Sequence, residues 1–376
     1  MFDLMVVDFA VVGLDHCLSG VDVSLPTEPF NTCKPIEFIK QVAFKTGFQL
    51  ESTEVVGLSG IIDEPIGSVY ALSSDRLGPI PAAGSLNEYI GFRNNSYFIE
   101  VPDDAIHDFF AWDENYPDLI SAHRGGFTTG FPENAIETFE NTLTFAPALL
   151  EVDVRRTADG AWILMHDDTL DRTTTGMGLV SETSLAQIQA LQLVDNNGNV
   201  TDFKVPTLHA ALEWAEGRTI LELDLKSDDF FEEVVEIITT LDAEDQVRFI
   251  TQDLDQAIAI HSLNPDIHLG LSINSENQLD VFVEIEAAPF EFEQVSAFTG
   301  IRPESEAFYD TLHDEGIVAI QGLFGSQDFF GGSAFINDLT DEQRTELFEM
   351  VYERGGDAIA SDFAQPISEL LNYAEY

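Results

Sequence analysis

Basic side chains are scarce in this sequence. Its 376 residues include 16 lysines and arginines against 68 aspartates and glutamates, which gives a formal net charge of −52 at pH 7. Nucleic acids and anionic membranes are bound mainly through Lys and Arg, so a surface this negative repels both, and we expect no nucleic-acid partner. Crowded carboxylates repel one another less in about 1 M salt, where the screening length falls to about 3 Å. The composition therefore favours a saline environment.

Cysteines and long apolar runs are also nearly absent. Cys17 and Cys33 are the two cysteines, and the sequence leaves open whether they form a disulfide or remain thiols. No apolar run approaches the roughly 18 residues that a membrane-spanning helix needs, so we expect no transmembrane segment. Residues 1–13 are apolar but contain Asp3 and Asp8 and no basic residue, which is not typical of a secretory signal. The acidic composition nevertheless favours an extracellular or periplasmic location.

The pattern of the sequence changes near residue 117. Residues 1–117 contain short apolar runs broken by Gly and Pro, which predicts a small β-rich N-terminal region. In residues 118–376, strand-like runs alternate with helix-like segments. The strand candidates are residues 119–123, 149–154, 162–166, 220–226, 247–251, 267–272, 318–323 and 358–362. Eight strands with helical crossovers predict an α/β fold, a TIM-type (β/α)₈ barrel.

Ionisable side chains lie at the carboxyl ends of the first four strand candidates, where the active sites of such barrels are found. They are His123 and Arg124 at the first, Glu151 and Asp153 at the second, His166 at the third, and Glu222, Asp224 and Lys226 at the fourth. Residues two apart on a strand share a face. Each pattern alone is most often a strand end or a solvated turn, but their recurrence at four successive ends favours one common site.

Carboxylates at neighbouring strand ends favour a metal site, because two inward-facing carboxylates ionise together at low cost only with a cation between them. Three oxygen donors suit Mg²⁺ or Ca²⁺ better than a soft metal. Residues 118–376 contain no cysteine, which argues against a zinc site. Structural alternatives remain open: His123 as a satisfied core histidine, and Glu222 as the partner of a buried arginine.

The order of the motifs resembles the glycerophosphodiester phosphodiesterase family over about residues 118–376. The matching segments are Ala122-His123-Arg124-Gly125-Gly126, Pro132-Glu133-Asn134, Glu151-x-Asp153, residues 166–178, Pro206-Thr207-Leu208 and residues 356–362. The resemblance implies a TIM-type barrel with an insertion at about residues 168–204. It also implies hydrolysis of glycerophosphodiesters to glycerol 3-phosphate and an alcohol, with one divalent cation, Ca²⁺ or Mg²⁺.

The resemblance further implies a role for each matching residue. His123 and His166 would be the general acid and base, Arg124, Asn134 and Lys226 would bind the substrate, and Glu151, Asp153 and Asp224 would bind the metal. The family usually has glutamate two residues before the lysine, where this sequence has Asp224. Because aspartate is one methylene shorter, the cation would lie closer to this strand or bind through water. Glu222 faces the same way but one layer deeper, so Asp224 is the preferred ligand.

Two alternatives to this function stay open. A related branch with sphingomyelinase D or lysophospholipase D-like activity has aspartate at the comparable position, but it lacks the segment Asp171-Arg172-Thr173-Thr174 that this sequence contains. A non-catalytic barrel, serving as a scaffold or binding module, would have no need for both histidines together with Arg124 and Lys226. Separately, residues 55–60 and 69–76 resemble one blade of a phytase-like esterase propeller, which leaves a propeller remnant open beside the small β-rich extension expected here. The sequence leaves the oligomeric state and the leaving alcohol open.

Overall fold

The computed structural model of the protein describes residues 89–103, 105–226, 230–324 and 336–373. Cys17, Cys33 and the predicted propeller remnant lie outside these residues. The described part of the chain begins with an antiparallel hairpin of β1 (Ile90–Arg93) and β2 (Ser96–Ile99). Asn94 and Asn95 form its turn, both with positive φ, as expected for a two-residue hairpin loop. The short helix α1 (Ile106–Phe109) follows.

A closed barrel forms the main part of the described structure. The strands that follow α1 are β3 (Leu119–Ala122), β4 (Ala148–Arg156), β5 (Trp162–Leu164), β6 (Leu221–Leu225), β7 (Val247–Ile250), β8 (His268–Ser272), β9 (Val295–Phe298), β10 (Ala319–Leu323) and β11 (Ala358–Ser361). All except β5 are parallel, and β11 pairs with β3 to close the ring. The predicted TIM-type barrel is confirmed.

Two details of the predicted strand order were wrong. Residues 162–166 were expected to form the third barrel strand, but β5 pairs antiparallel with the end of β4 and lies outside the ring. Residues 157–161 connect the two strands, and so short a segment allows a hairpin but no parallel crossover. The strand that completes the set of eight is instead β9, the sixth barrel strand along the chain. The sequence analysis missed it because Val-Ser-Ala-Phe is a short and weakly apolar run.

Helices cover the outside of the barrel. They are α2 (Ile136–Leu143), α4 (Leu208–Ala215), α5 (Phe231–Leu241), α6 (Leu254–Leu263), α7 (Gln278–Ala287), α8 (Glu306–Asp314), α9 (Asp341–Glu353) and α10 (Ala364–Leu370). The short helix α3 (Leu185–Gln189) packs instead in a separate apolar cluster. Leu212 of α4 and Ile260 of α6 belong to the same buried apolar cluster as Phe249 of β7. None of the helices that the structure describes is long and apolar enough to cross a membrane.

The barrel interior is filled at its amino-terminal end. Phe109 and Phe110, at the end of α1, pack with Leu119 and Ile220, which lie where β3 and β6 begin. The interior is therefore a packed core at this end, and polar side chains concentrate at the opposite, carboxyl end.

The segment 168–204, predicted as an insertion, lies between β5 and α4. It contains α3 and has a small apolar core of its own, in which Leu170, Val180 and Ile188 pack with Met165. This packing places the segment beside the mouth of the barrel, where β5 ends.

Candidate active site

The predicted site residues gather around a cavity of about 600 Å³ at the carboxyl end of the barrel. Its wall includes His123, Arg124, Glu151, His166, Asp224 and Lys226. Asp153 and Asn134 are buried next to these residues, because Asp153 lies on β4 two residues from Glu151 and the Asn134 amide is hydrogen-bonded to it. The structure thus brings together every residue that the sequence analysis assigned to the site.

Three carboxylates form the acidic centre of the site. In the parallel register of β4 and β6, Asp153 lies beside Asp224. One oxygen from each of Glu151, Asp153 and Asp224 lies within 4.8 Å of the other two, the one such group in the described part of the chain. Burial and the neighbouring Asp153 raise the pKa of Glu151. Three hard oxygen donors of like negative charge, two of them buried, fit a divalent cation such as Mg²⁺ or Ca²⁺, which would relieve their mutual repulsion.

Lys226 partly balances this acidic centre. Its Nζ lies 2.8 Å from Oδ1 of Asp153 and also contacts Asp224. Burial alone would lower the pKa of Lys226, but the charges of Asp153 and Asp224 outweigh burial and raise it. The ammonium group therefore stays charged beside the carboxylates.

Glu222 lies deeper in the barrel and serves as the partner of a buried arginine. It is 1% exposed, accepts a hydrogen bond from Ser121 and pairs with Nη1 of Arg248 at 2.9 Å. The Arg248 guanidinium lies against Gly270, where a Cβ would come within 2.6 Å of Cζ, so the close approach requires glycine. Both carboxylates of β6 line the cavity, but Glu222 is paired with Arg248, and Asp224 is the one that groups with Glu151 and Asp153.

His123 follows β3 and lies between two acidic groups. Its Nδ1 is 2.6 Å from Oδ1 of Asp362, at the end of β11, and its Nε2 is 3.9 Å from Glu151. Its ring stacks on Phe324 with a centroid separation of 4.4 Å. Burial favours the neutral ring, but the hydrogen bond to Asp362 and the charge of Glu151 outweigh it and raise the pKa of His123.

His166 reaches the cavity because β5 runs back along β4. The Met165 amide donates to the Asp153 carbonyl at 2.8 Å, which anchors the chain next to the acidic centre. Nδ1 of His166 lies 2.8 Å from Asp167, and the His166 carbonyl accepts from Nε of Arg155 at 2.8 Å. Burial lowers the pKa of His166, although the charge of Asp153 opposes the change.

Arg124 and Asn134 both adopt positive φ, and the Asn134 amide donates to the Arg124 carbonyl at 3.0 Å. The Arg124 amide donates to Glu151 at 2.7 Å. The Asn134 side chain donates to Asp153 at 2.6 Å and accepts from the Asp153 amide at 2.9 Å. Asn134 therefore holds Asp153 in place, while the Arg124 side chain lines the cavity.

Comparisons with known proteins identify the family of this chain. The model of the glycerophosphoryl diester phosphodiesterase family matches residues 123–291. The crystal structure of a glycerophosphoryl diester phosphodiesterase from Parabacteroides distasonis is 33% identical, with a TM-score of 0.66, and covers 73% of this chain and 93% of that chain. This chain belongs to the glycerophosphoryl diester phosphodiesterase family. The resemblance carried by the motif order is confirmed.

Two further proteins match this chain over a shorter segment or at lower identity. A glycerophosphodiester phosphodiesterase from Caldanaerobacter subterraneus subsp. tengcongensis is 33% identical over 111 residues, 29% of this chain, and this chain spans 45% of that relative. An Oleispira antarctica phosphodiesterase, solved with the product sn-glycerol-3-phosphate, is 21% identical with a TM-score of 0.51 and covers 71% of this chain and 99% of its own. That likeness shows the shared barrel fold.

Three residues of the site were missed by the sequence analysis: Asp362, Glu133 and Arg172. Asp362 contacts His123 because the last and first strands of a closed barrel are neighbours, a signal that the predicted topology already contained. Glu133 and Arg172 line the cavity and were quoted only as parts of motifs. Both side chains contact residues of other loops, and such contacts cannot be predicted from the spacing of residues along the sequence.

Proposed function

We propose that this protein is a metal-dependent phosphoric diester hydrolase that cleaves glycerophosphodiesters to glycerol 3-phosphate and an alcohol. The observation that carries the proposal is one cavity that combines an acidic triad, two histidines and two cationic side chains. Membership of the glycerophosphoryl diester phosphodiesterase family supports it. So does the sn-glycerol-3-phosphate bound by the Oleispira antarctica phosphodiesterase of the same fold.

Glu151, Asp153 and Asp224 would hold one divalent cation, Ca²⁺ or Mg²⁺. When bound, such a cation neutralises a phosphate oxygen and stabilises the charge that develops on it. The fit rests on hard oxygen donors within 4.8 Å of one another, as both ions prefer. Asp224 supplies the third donor although it is one methylene shorter than the glutamate that is usual in the family.

Arg124 and Lys226 would hold the phosphate oxygens that the cation leaves free. Nε of Arg124 is buried and has no hydrogen-bond partner among the described residues. Its ion pair with Oδ2 of Asp153, at 3.6 Å, is too long for a hydrogen bond. A buried guanidinium N–H without a hydrogen bond is costly, and an anionic oxygen in the cavity would supply one. Carboxylates hold the Arg124 and Lys226 side chains in place, so both would bind the substrate without reorganising.

His123 and His166 would act as the general acid and base. One takes a proton from the attacking hydroxyl as its oxygen forms the new bond to phosphorus, and the other gives a proton to the alkoxide as the bond to the alcohol breaks. The attacking oxygen is that of water or of the neighbouring glycerol hydroxyl, which would leave a cyclic phosphate for water to open. Each Nδ1 faces a carboxylate, which leaves each Nε2 available for proton transfer.

The test is the release of glycerol 3-phosphate from glycerophosphocholine in high salt, with Ca²⁺ or Mg²⁺ and with EDTA. We expect activity that EDTA abolishes and that His123→Ala or Asp224→Ala lowers by about 10²-fold or more. Glu213→Gln, at an exposed position of α4 paired with His209, removes the same charge as Asp224→Ala and should leave the activity unchanged. A folded protein with no activity under any of these conditions would contradict the proposal and favour a binding module.

A second candidate is the release of choline from lysophospholipids or sphingomyelin. The observation that favours it is the apolar part of the cavity wall, formed by Phe127, Ile250, Phe298, Ile301 and Phe324. Such a wall would accommodate an acyl chain beside the phosphate. Faster choline release from lysophosphatidylcholine or sphingomyelin than from glycerophosphocholine, in the same EDTA-sensitive assay, would favour this activity.

A further inference from the structure

Side chains of alternating charge line one wall of the cavity between Arg124 and His166. Glu133, which lies just before α2, is 2% exposed. Its oxygens accept from Nη1 of Arg124 at 3.0 and 3.2 Å. The same carboxylate accepts from Nη1 and Nη2 of Arg172 at 2.7 and 2.8 Å. One buried carboxylate therefore joins two guanidinium groups that come from different loops.

Arg172 extends this wall to His166. Its Nε and Nη2 donate to the two oxygens of Asp167, each at 2.8 Å. Oδ1 of Asp167 in turn lies 2.8 Å from Nδ1 of His166. The Arg172 guanidinium holds the pKa of Asp167 well below its usual range. An ionised Asp167 accepts a hydrogen bond from Nδ1–H of His166, so the ring proton stays on Nδ1. Nε2 of His166 then carries the lone pair, which points away from Asp167.

We propose that Glu133 and Arg172 are positioning residues that hold Arg124 and His166 in one fixed arrangement for phosphodiester cleavage. This inference rests on the function proposed above. The Arg172 guanidinium is planar and donates two hydrogen bonds to each of two carboxylates. It therefore orients both more firmly than the ammonium group of a lysine would. Arg172 belongs to the insertion, so the insertion supplies a contact on which the orientation of His166 depends.

The two residues should affect different kinetic constants. Arg172 acts through Asp167 on His166, which moves a proton in the reaction, so its loss should mainly lower kcat. Glu133 also holds Nη1 of Arg124, which would bind the substrate phosphate, so its loss should raise KM as well. A residue with a merely structural role would change the fraction of folded protein and leave both constants of that fraction unchanged.

The experiment compares Arg172→Met, Arg172→Lys and Glu133→Gln with the wild-type protein under the assay conditions given above. We expect Arg172→Met to lower kcat by about 10²-fold, the size of effect seen when a catalytic group is displaced by about 1 Å, with KM changed less than threefold. The kcat of Arg172→Lys should fall between those of Arg172→Met and the wild-type protein, because an ammonium group keeps the charge but cannot form a two-bond contact with each carboxylate. Glu133→Gln should lower kcat and raise KM together.

The matched control is Arg156→Met. Arg156 forms the same two-bond contact with Glu233, at 2.9 and 3.0 Å, but does not line the cavity. This variant should keep the kcat and KM of the wild-type protein. Wild-type constants in Arg172→Met would overturn the inference, and if that variant does not fold, wild-type kcat in Arg172→Lys would do so.

A spectroscopic readout separates this inference from the proposed function. In protein labelled with ¹⁵N-histidine, the His166 ring should carry its proton on Nδ1 in the wild-type chain, and Arg172→Met should mix the two tautomers. The measurement needs no turnover. A wild-type protein that fails to cleave glycerophosphodiesters would overturn the proposed function alone, whereas an unchanged His166 spectrum in Arg172→Met would overturn this inference.

Discussion

At the scale of single residues, neighbours decide which carboxylate does what. Glu222 and Asp224 lie two apart on β6 and share a face, yet only Glu222 meets an arginine, because Arg248 of β7 lies beside it in the parallel register. The sequence analysis preferred Asp224 as the metal ligand for its shallower position, and the Glu222–Arg248 contact agrees with that preference. Which residue on β7 would face Glu222 depended on the strand register, which the sequence does not report.

The Glu222–Arg248 pair leads to a prediction about stability. Arg248→Met leaves a buried carboxylate without its charged partner, so we expect it to reduce the free energy of unfolding by about 3–5 kcal/mol. The double variant Glu222→Met with Arg248→Met should lose much less than the sum of the single losses. Urea denaturation measures each value. As a control, Arg156→Met breaks an ion pair that is about one-third exposed and should lower the free energy of unfolding by under about 1 kcal/mol. If the losses of Glu222→Met and Arg248→Met simply add in the double variant, the interpretation is wrong.

At the scale of elements, pairing direction decides where His166 lies. The run Trp162–Leu164 is as apolar as a barrel strand, and nothing in its composition distinguishes it from one. The tight turn after β4 makes β5 run back antiparallel, so that His166 returns to the level of Asp153. The sequence analysis assigned His166 to the site although it took β5 for a barrel strand. The assignment rested on the order of the motifs, which is the same whichever way the strand runs.

The turn between β4 and β5 allows a test of this element. Gly160 has a φ of +85°, a conformation that costs about 1–2 kcal/mol for residues with a Cβ. We expect Gly160→Ala to lower the free energy of unfolding by about that amount in urea denaturation. Gly160→Asn should cost less, because asparagine tolerates the left-handed region. Equal stability of Gly160→Ala and the wild-type protein would show that the turn is not under this constraint.

At the scale of the whole molecule, charge governs the response to salt. With a formal net charge of −52, carboxylates repel one another throughout the chain, and salt screens that repulsion. We expect Tm to rise steadily as NaCl increases from 0.1 to 2 M in thermal unfolding followed by circular dichroism. Sucrose at matched osmolality tests for excluded-solute effects and should raise Tm less. A Tm that falls with added NaCl would contradict the expectation of salt adaptation.

The sequence by itself determined the fold class, the family and the residue types of the site. Alternating faces on strands and the order of the motifs are local properties, and they identify His123, Glu151, Asp153 and Lys226 without any tertiary contact. Tertiary structure alone decided the pairings: His123 with Asp362, Glu222 with Arg248, and Glu133 with two arginines. These partners come from strands and loops that meet only when the ring closes and segment 168–204 packs beside it. Hydrogen bonds depend on positions in space, which the spacing of residues along the chain does not specify.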